Sequence, residues 1–304
     1  MNIRDLEYAL AVAEMGHFGR AAEICHVSQP ALSGQIQKLE QHLGVKLFER
    51  TKRHVRVTDV GQDILEHAKD IMGLVAIIEE TAAAQKDPLS GPLRLGMIPT
   101  IGPYLTPILL PSIRHGLPNA DLSLTEEMTH VLERELLQGE IDAAVLATPV
   151  SDPRLAQIAL YQEPFWIALP HGHAMEDQEV VNILDIQAED LLLLADGHCL
   201  RDQVLSFCNR TAGTSAAFNT QNTSLATILA LVGAGAGVTL VPATSLQGSW
   251  VTDAGIAIRR EATGKACRSV SLAYRKSFPR LQLIEKLADI VCAIVPDTVA
   301  PERR

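Results

Sequence analysis

Ser28-Gln29-Pro30-Ala31-Leu32-Ser33-Gly34-Gln35-Ile36-Gln37-Lys38-Leu39, followed by Gly44, is the stretch from which the fold can be read. Ser28 is a good N-cap, and Pro30 lies in the first turn, where its missing N–H costs nothing. Leu32, Ile36 and Leu39 recur at helical spacing, which predicts a helix to about His42, and Gly44 stops it. Upstream, Phe18 to Cys25 reads as a short alanine-rich helix and His26-Val27 as a turn. Residues 2–16 read as a further helix with Leu6, Leu10 and Ala13 on one face. Helix, tight turn, helix is the arrangement that lays a second helix in the DNA major groove. The candidate contact residues on that helix are Gln29, Pro30, Ser33, Gln35 and Lys38. Their hydroxyl, amide and ammonium groups suit base edges and phosphates.

Downstream, Val45 to Arg50 and Val55 to Thr58 bracket a polar turn, which predicts a two-stranded wing. Arg50, Lys52 and Arg53 gather at its tip as candidate phosphate contacts. Thr58 or Asp59 caps a long helix over about 60–86. Its apolar positions Ile64, Ala68, Ile71, Val75, Ile78 and Ala82 alternate four and three apart, a heptad seam that argues for helix pairing between chains.

Asp87-Pro88-Leu89-Ser90-Gly91-Pro92 reads as a linker. Beyond it the pattern becomes α/β, with strands at 93–98, 121–126 and 141–147, helices at 105–115 and 131–138, and a mainly parallel sheet. A second α/β unit follows, with strand candidates at 165–169 and 191–195, a helix at 225–232 and a glycine turn into a strand ending at Pro242. The glycines at 233–237 do not open a helix after a strand, so they are no dinucleotide fingerprint. A strand at 269–274 and a helix at 281–295 return toward the first unit. Two lobes with a cleft between them result.

Hydrophobic residues make up 47% of the 304, which supports sizeable cores, and aromatics only 4%, so those cores are aliphatic. No stretch approaches the roughly 20 apolar residues of a membrane span. Met1-Asn2-Ile3-Arg4-Asp5 does not read as a signal peptide, and the expectation is a soluble, cytoplasmic protein with no membrane partner. The net charge of −10 argues at first against nucleic acid, yet residues 1–60 are nearly balanced and hold the basic cluster at 50–56.

Five cysteines are present: Cys25, Cys199, Cys208, Cys267 and Cys292. None forms a CxxC pair, and His171 with His173 lacks a third ligand, so neither a metal nor a cofactor is expected. In a cytosolic chain, a close pair such as Cys199 and Cys208 more often means metal binding, catalysis or redox sensing than a structural disulfide. If the segment is helical, residues nine apart lie about 13 Å apart at about 1.5 Å per residue. A disulfide needs Cα atoms within about 7 Å. Such a pair either bridges a loop or bridges only after helix is lost.

Several runs together resemble the LysR-type transcriptional regulators over nearly the full length. They are Asn2-Ile3-Arg4-Asp5-Leu6, Ala21-Ala22, Val27-Ser28-Gln29-Pro30-Ala31-Leu32-Ser33, Lys38-Leu39-Glu40, Leu43-Gly44-Val45 and Leu47-Phe48-Glu49-Arg50. Ile98-Pro99-Thr100, Gly102-Pro103-Tyr104-Leu105 and Asp196-Gly197-His198-Cys199-Leu200-Arg201-Asp202-Gln203, ending at Cys208, are similar to the peroxide-sensing branch of that family. The resemblance implies an α/β fold class in three parts: a winged helix-turn-helix DNA-binding domain (1–58), a linker and dimerisation helix (59–87), and a two-lobed, periplasmic-binding-protein-like regulatory domain (88–304).

It further implies that Cys199 is the peroxidatic cysteine, oxidised to sulfenic acid, and Cys208 the resolving cysteine that forms a disulfide with it. A sensor of this kind pairs a low-pKa thiol with a resolving partner. Thr100, Thr129, His130 and Arg268 line the peroxide pocket on the same ground, assisted by His198, Arg201 and Asp202. The implied partners are promoter double-stranded DNA, hydrogen peroxide, RNA polymerase and further copies of the chain, as a dimer or a tetramer of two dimers. The implied role is activation of antioxidant genes, with no enzymatic turnover. Two alternatives stay open: a regulator answering a small-molecule coinducer with silent cysteines, and a thiol peroxidase.

Overall fold

The computed structural model describes residues 1–50, 55–84, 87–187, 190–208, 224–247, 255–296 and 299–301. Lys52 and Arg53 lie outside them, as does the polar stretch 209–217. The chain divides into two compact units, Met1–Ala82 with Leu137–Glu140, and Ala83–Leu136 with Ile141–Arg304.

The first unit opens with α1 (Ile3–Met15), α2 (Phe18–Ile24) and α3 (Gln29–Leu43). Asn2 and Asp5 close a reciprocal capping box on α1, at 3.0 and 2.8 Å. Ser28 caps α3 by accepting from Ala31 N at 3.4 Å, and Gly44 ends it at φ 72°, a conformation that favours glycine. Leu32, Ile36 and Leu39 are buried with Ala9, Val12, Phe18 and Leu47 in one aliphatic core.

The wing strands are shorter than their pattern predicted: β1 (Phe48–Arg50) pairs antiparallel with β2 (Val55–Val57). Val45 to Leu47 is diverted to anchor the wing root. The buried Glu40 carboxylate accepts from Leu47 N (3.0 Å) and Phe48 N (3.3 Å) and pairs with Lys46 at 2.7 Å. Thr58 then caps α4 (Asp59–Ala84) by accepting from Gly61 N at 2.9 Å. Leu65 and Ala68 are buried, whereas Ile71, Leu74 and Ile78 of the same helix are 38%, 61% and 69% exposed.

In the second unit the expected linker is shorter, because β3 (Gly91–Met97) already begins at Gly91. Arg280 Nη1 donates to Ser90 O at 2.7 Å there. The first lobe runs β3, α5 (Gly102–Gly116), β4 (Ala120–Glu126), α6 (Thr129–Gln138) and β5 (Ala143–Leu146). Its strands β4, β3 and β5 are parallel, joined by helical crossovers.

The sheet as a whole is mixed rather than mainly parallel. Two long antiparallel strands, β6 (Leu155–Pro170) and the later β10 (Cys267–Arg275), carry the chain out of the first lobe and back. Antiparallel neighbours need no crossover helix, so the reading of alternating helices and strands fails for this part. The predicted strand at 165–169 is the far half of β6.

The second lobe adds β7 (Val180–Val181), α7 (Cys199–Phe207), α8 (Leu225–Gly233), β8 (Thr239–Pro242) and β9 (Ile256–Glu261). α9 (Leu281–Ile294) then packs on the first lobe, and β11 (Ala300–Pro301) pairs with β6. Residues 191–195 are not a strand. Leu191 makes one isolated parallel bridge to Val238, and the leucine run is apolar because it fills the second lobe's core.

Candidate functional site

Three helix N-termini converge on one small pocket. Its lining is Ile98, Pro99 and Thr100 ahead of α5, Met128 and Thr129 at the start of α6, and Gly197, His198 and Cys199 at the start of α7. The whole concavity, mouth included, is about 180 Å³, and its interior has room for the centre of about one water-sized molecule (about 10 Å³). Helix N-termini present unpaired N–H groups and a positive dipole end, so the pocket favours a polar or anionic occupant.

Cys199 is the first residue of α7, and neither it nor Cys208 is in a disulfide. Burial pushes the Cys199 thiol above its ordinary pKa. The Arg268 guanidinium, a hydrogen bond with the Thr129 side chain and the N–H groups of Leu200 and Cys199 pull the other way without cancelling it. Burial of the sulfur thus works against the low-pKa thiol that the resemblance implies, and Arg268, Thr129 and the N–H groups work for it. His198 is buried and held neutral, its pKa lowered by burial.

Arg268 stands behind Thr100. Its Nη1 donates to Thr100 Oγ1 at 2.9 Å, its Nη2 to Thr100 O at 3.2 Å, and its Nε to Glu163 Oε2 at 2.7 Å. Glu163 in turn accepts from Thr244 N at 2.8 Å and from the Thr244 hydroxyl. Arg268 (3% exposed), Thr100 (2%) and Glu163 (0%) form a buried network at the crossing of β6 and β10. Arginine only donates, so the Thr100 hydroxyl oxygen must accept. Its proton finds no acceptor among the described residues and is left to serve an occupant of the pocket.

The pocket gathers Thr100, Thr129, His198 and Cys199, with Arg268 one hydrogen bond behind. It does not gather His130 and Asp202, which are exposed and absent from the lining. Arg201 turns from the pocket to Leu194 O (3.0 Å) and Asp196 (2.8 Å). Cys208 ends α7 buried in the second lobe's core. The helix separates the two sulfur-bearing residues by nine positions, or about 13 Å of rise. Gln203 Nε2 donates to Ala147 O at 2.8 Å and ties α7 to the first lobe.

Sequence reading missed Glu163 and Met128. The one charged residue in the mostly apolar Leu155–Pro170 run was the available signal for Glu163. Nothing in the run Glu126-Glu127-Met128 marked the methionine.

On α3, Gln29, Pro30 and Lys38 are exposed and Ser33 is half-buried. Gln35 also fastens α3 to α1, its Nε2 donating to Asp5 Oδ1 at 2.6 Å. Arg50 lies on β1.

A DNA-reading helix pair followed by a two-lobed sensor unit defines a one-component regulator, and the chain belongs to the LysR family. Residues 3–62 match the bacterial regulatory helix-turn-helix of that family, and residues 86–293 match the LysR substrate binding domain. The chain is 41% identical over 291 residues to a hydrogen peroxide-inducible genes activator of Dickeya chrysanthemi, covering 96% of this chain and 95% of that protein. It is 40% identical over 293 residues to the DNA-binding transcriptional dual regulator OxyR of Escherichia coli (strain K12), covering 96% and 95%. Full-length OxyR from Pseudomonas aeruginosa, solved as a Cys199 mutant, superposes with TM-score 0.81 at 36% identity over 100% and 98% of the two chains. An H2O2-bound mutant of Corynebacterium glutamicum OxyR superposes with TM-score 0.66 at 33% identity over 96% and 92%. Among the described residues no helix is long and apolar enough to cross a membrane.

Proposed function

We propose that this chain is a transcription factor that senses hydrogen peroxide through Cys199 and switches antioxidant promoters. The observation that carries the reading is the pocket itself. One free thiol, two hydroxyls and a neutral imidazole surround space for a molecule of about water's size. Pockets for drug-sized ligands run to some 300–1,000 Å³, far above the room for about one water-sized molecule here.

In the proposed reaction Cys199 loses its proton and Sγ attacks one peroxide oxygen. The O–O bond breaks, and the second oxygen leaves as water, drawing on the Thr100 hydroxyl for a hydrogen bond as charge develops. The product is a sulfenic acid. The Cys208 thiol then attacks that sulfur, a second water leaves and the Cys199–Cys208 disulfide forms, a two-electron oxidation overall. Cys208 cannot reach Cys199 while α7 is intact, so this second step unwinds the helix. A thiol reductant returns the pair to its starting state.

In this reading residues 1–58 bind promoter DNA through Gln29, Pro30, Ser33, Lys38, Arg50, Lys52 and Arg53. Residues 59–87 dimerise the chain, and 88–304 sense. The exposed Ile71, Leu74 and Ile78 of α4 gain roughly 0.5–2 kcal/mol each when a second copy covers them. Dimers pair into a tetramer, contact RNA polymerase and act in the cytoplasm. The thiol reacts once per signal rather than turning over.

The test is Cys199→Ser with a promoter reporter and a DNA-binding assay. Peroxide-dependent activation should vanish while DNA binding persists. An unchanged peroxide response would sink the proposal.

A further inference from the structure

We infer that Met128 is the size gate of the Cys199 pocket and restricts the sensor to the smallest hydroperoxide. The inference rests on the peroxide reading above. Hydrogen peroxide has two heavy atoms, and the pocket is small and partly open to solvent. A bulkier group on the outer oxygen therefore requires one wall to yield.

Most of the walls are fixed. Ile98 is buried in the first lobe's core, Pro99 is a rigid ring, and Thr100 is clamped by Arg268. Cys199 and Thr129 are bonded to each other, and His198 is buried. Gly197 contributes no side chain, sits at φ 95° and has open space where a Cβ would be. Met128 is the remaining wall. It is half-buried, and its backbone is held at the head of α6, where its carbonyl accepts from Val131 N and Leu132 N, both at 3.0 Å. The side chain is the adaptable part, because an unbranched thioether chain has three rotatable bonds and adapts cheaply. In its resting position it leaves room for the smallest oxidant. A tertiary alkyl group on the outer oxygen would need the volume that the Met128 side chain occupies.

The reaction is the same for any hydroperoxide R–O–OH. Sγ takes the terminal oxygen, the O–O bond breaks, and ROH leaves with the thiol proton. Only admission differs. The experiment measures second-order loss of the Cys199 thiol in the full-length protein with hydrogen peroxide and with tert-butyl hydroperoxide. It compares the wild type, Met128→Ala and Met128→Leu.

A side chain's worth of pocket volume is worth roughly tenfold or more in discrimination. Met128→Ala should raise the tert-butyl to hydrogen peroxide rate ratio by about that factor, while Met128→Leu, of similar volume, should stay near the wild-type ratio. An unchanged ratio in Met128→Ala alongside normal hydrogen peroxide reactivity overturns the gate and leaves the sensing proposal standing. So does a Met128→Leu ratio as permissive as that of Met128→Ala. Failure of wild-type Cys199 to react with hydrogen peroxide overturns both.

Discussion

Arg268 and Glu163 offer a test in which electrostatic and merely structural roles move in opposite directions. Arg268→Met removes three hydrogen bonds, at 2.7, 2.9 and 3.2 Å. It also strands the Glu163 carboxylate, fully buried, with only its Thr244 donors. Breaking a buried ion pair from one side costs about 3–5 kcal/mol, a large part of the roughly 5–15 kcal/mol that holds a domain folded. The same change takes away the positive charge that draws the Cys199 thiol downward and the donor that fixes the Thr100 hydroxyl. Each unit by which the thiol rises lowers the thiolate fraction, and so the rate at neutral pH, roughly tenfold.

Glu163→Gln works the other way on the sulfur. Its single amide oxygen can accept from Thr244 N or from Arg268 Nε, which bond different oxygens of the carboxylate, so one of these bonds is lost along with the countercharge. The Arg268 charge is then felt more fully at Sγ, and the thiol should react faster at neutral pH. The double variant Arg268→Met with Glu163→Gln has no buried charge and should regain most of the lost stability in urea unfolding, while its peroxide reaction stays slow. The assay is stopped-flow or quench-flow loss of the Cys199 thiol beside equilibrium unfolding for all four proteins. If both single variants slow the reaction alike, or the double variant recovers rate together with stability, the network is scaffolding and the electrostatic argument fails.

Because burial lifts the Cys199 thiol above its ordinary value, the thiolate is the minor species throughout the neutral range. The rate of oxidation should climb nearly tenfold per pH unit between about pH 6 and 8, and a plateau below pH 8 would show that the reacting thiol is already ionised. Gln35 holds Asp5 through its amide N–H. Gln35→Ala should therefore cost the DNA-binding unit about 0.5–1.5 kcal/mol in unfolding without altering its preference among promoter sequences; an altered preference in a binding-site selection would return Gln35 to the DNA surface.

The parts legible in the sequence are those whose cause is local. Ser28, Pro30 and Gly44 bound α3 by rules that act within one turn. The Leu32, Ile36 and Leu39 face needs only the helical period. The parts that were not legible depend on partners far along the chain. Gln35 looks like one more exposed amide on a reading helix until Asp5, thirty residues earlier, is seen to bind it. Glu163 looks solvated until Arg268, 105 residues later, is placed on the neighbouring strand. The leucine run at 191–194 reads as a strand because burial on all sides and burial in a sheet leave the same apolar signature. The pocket lay between these extremes. Two of its three runs lay just ahead of expected helices, at 105 and 131; the third, at 197–199, carried no element assignment, and the convergence of all three is a property of the sheet that carries them.

The geometry of α7 has a consequence for the order of events in the proposed reaction. As a helix it serves the sulfur at its N-terminus, where the N–H groups of Cys199 and Leu200 lower the cost of a thiolate and Gly197, His198 and Cys199 line the pocket. The same regular rise keeps Cys208 about 13 Å along the axis, on the last turn and packed with Leu200, Val204 and Leu205 in the second lobe's core. A general oxidant that attacks either thiol at random therefore gains no disulfide, because neither sulfur can meet the other in the folded helix. Only a species that waits at position 199 until α7 opens can be resolved. A sulfenic acid in a pocket that bulky thiols cannot enter is such a species. Helical spacing thus makes the bond conditional on two events in sequence, a small oxidant at Cys199 and then local unfolding. That conditionality separates a peroxide signal from the background of thiol exchange.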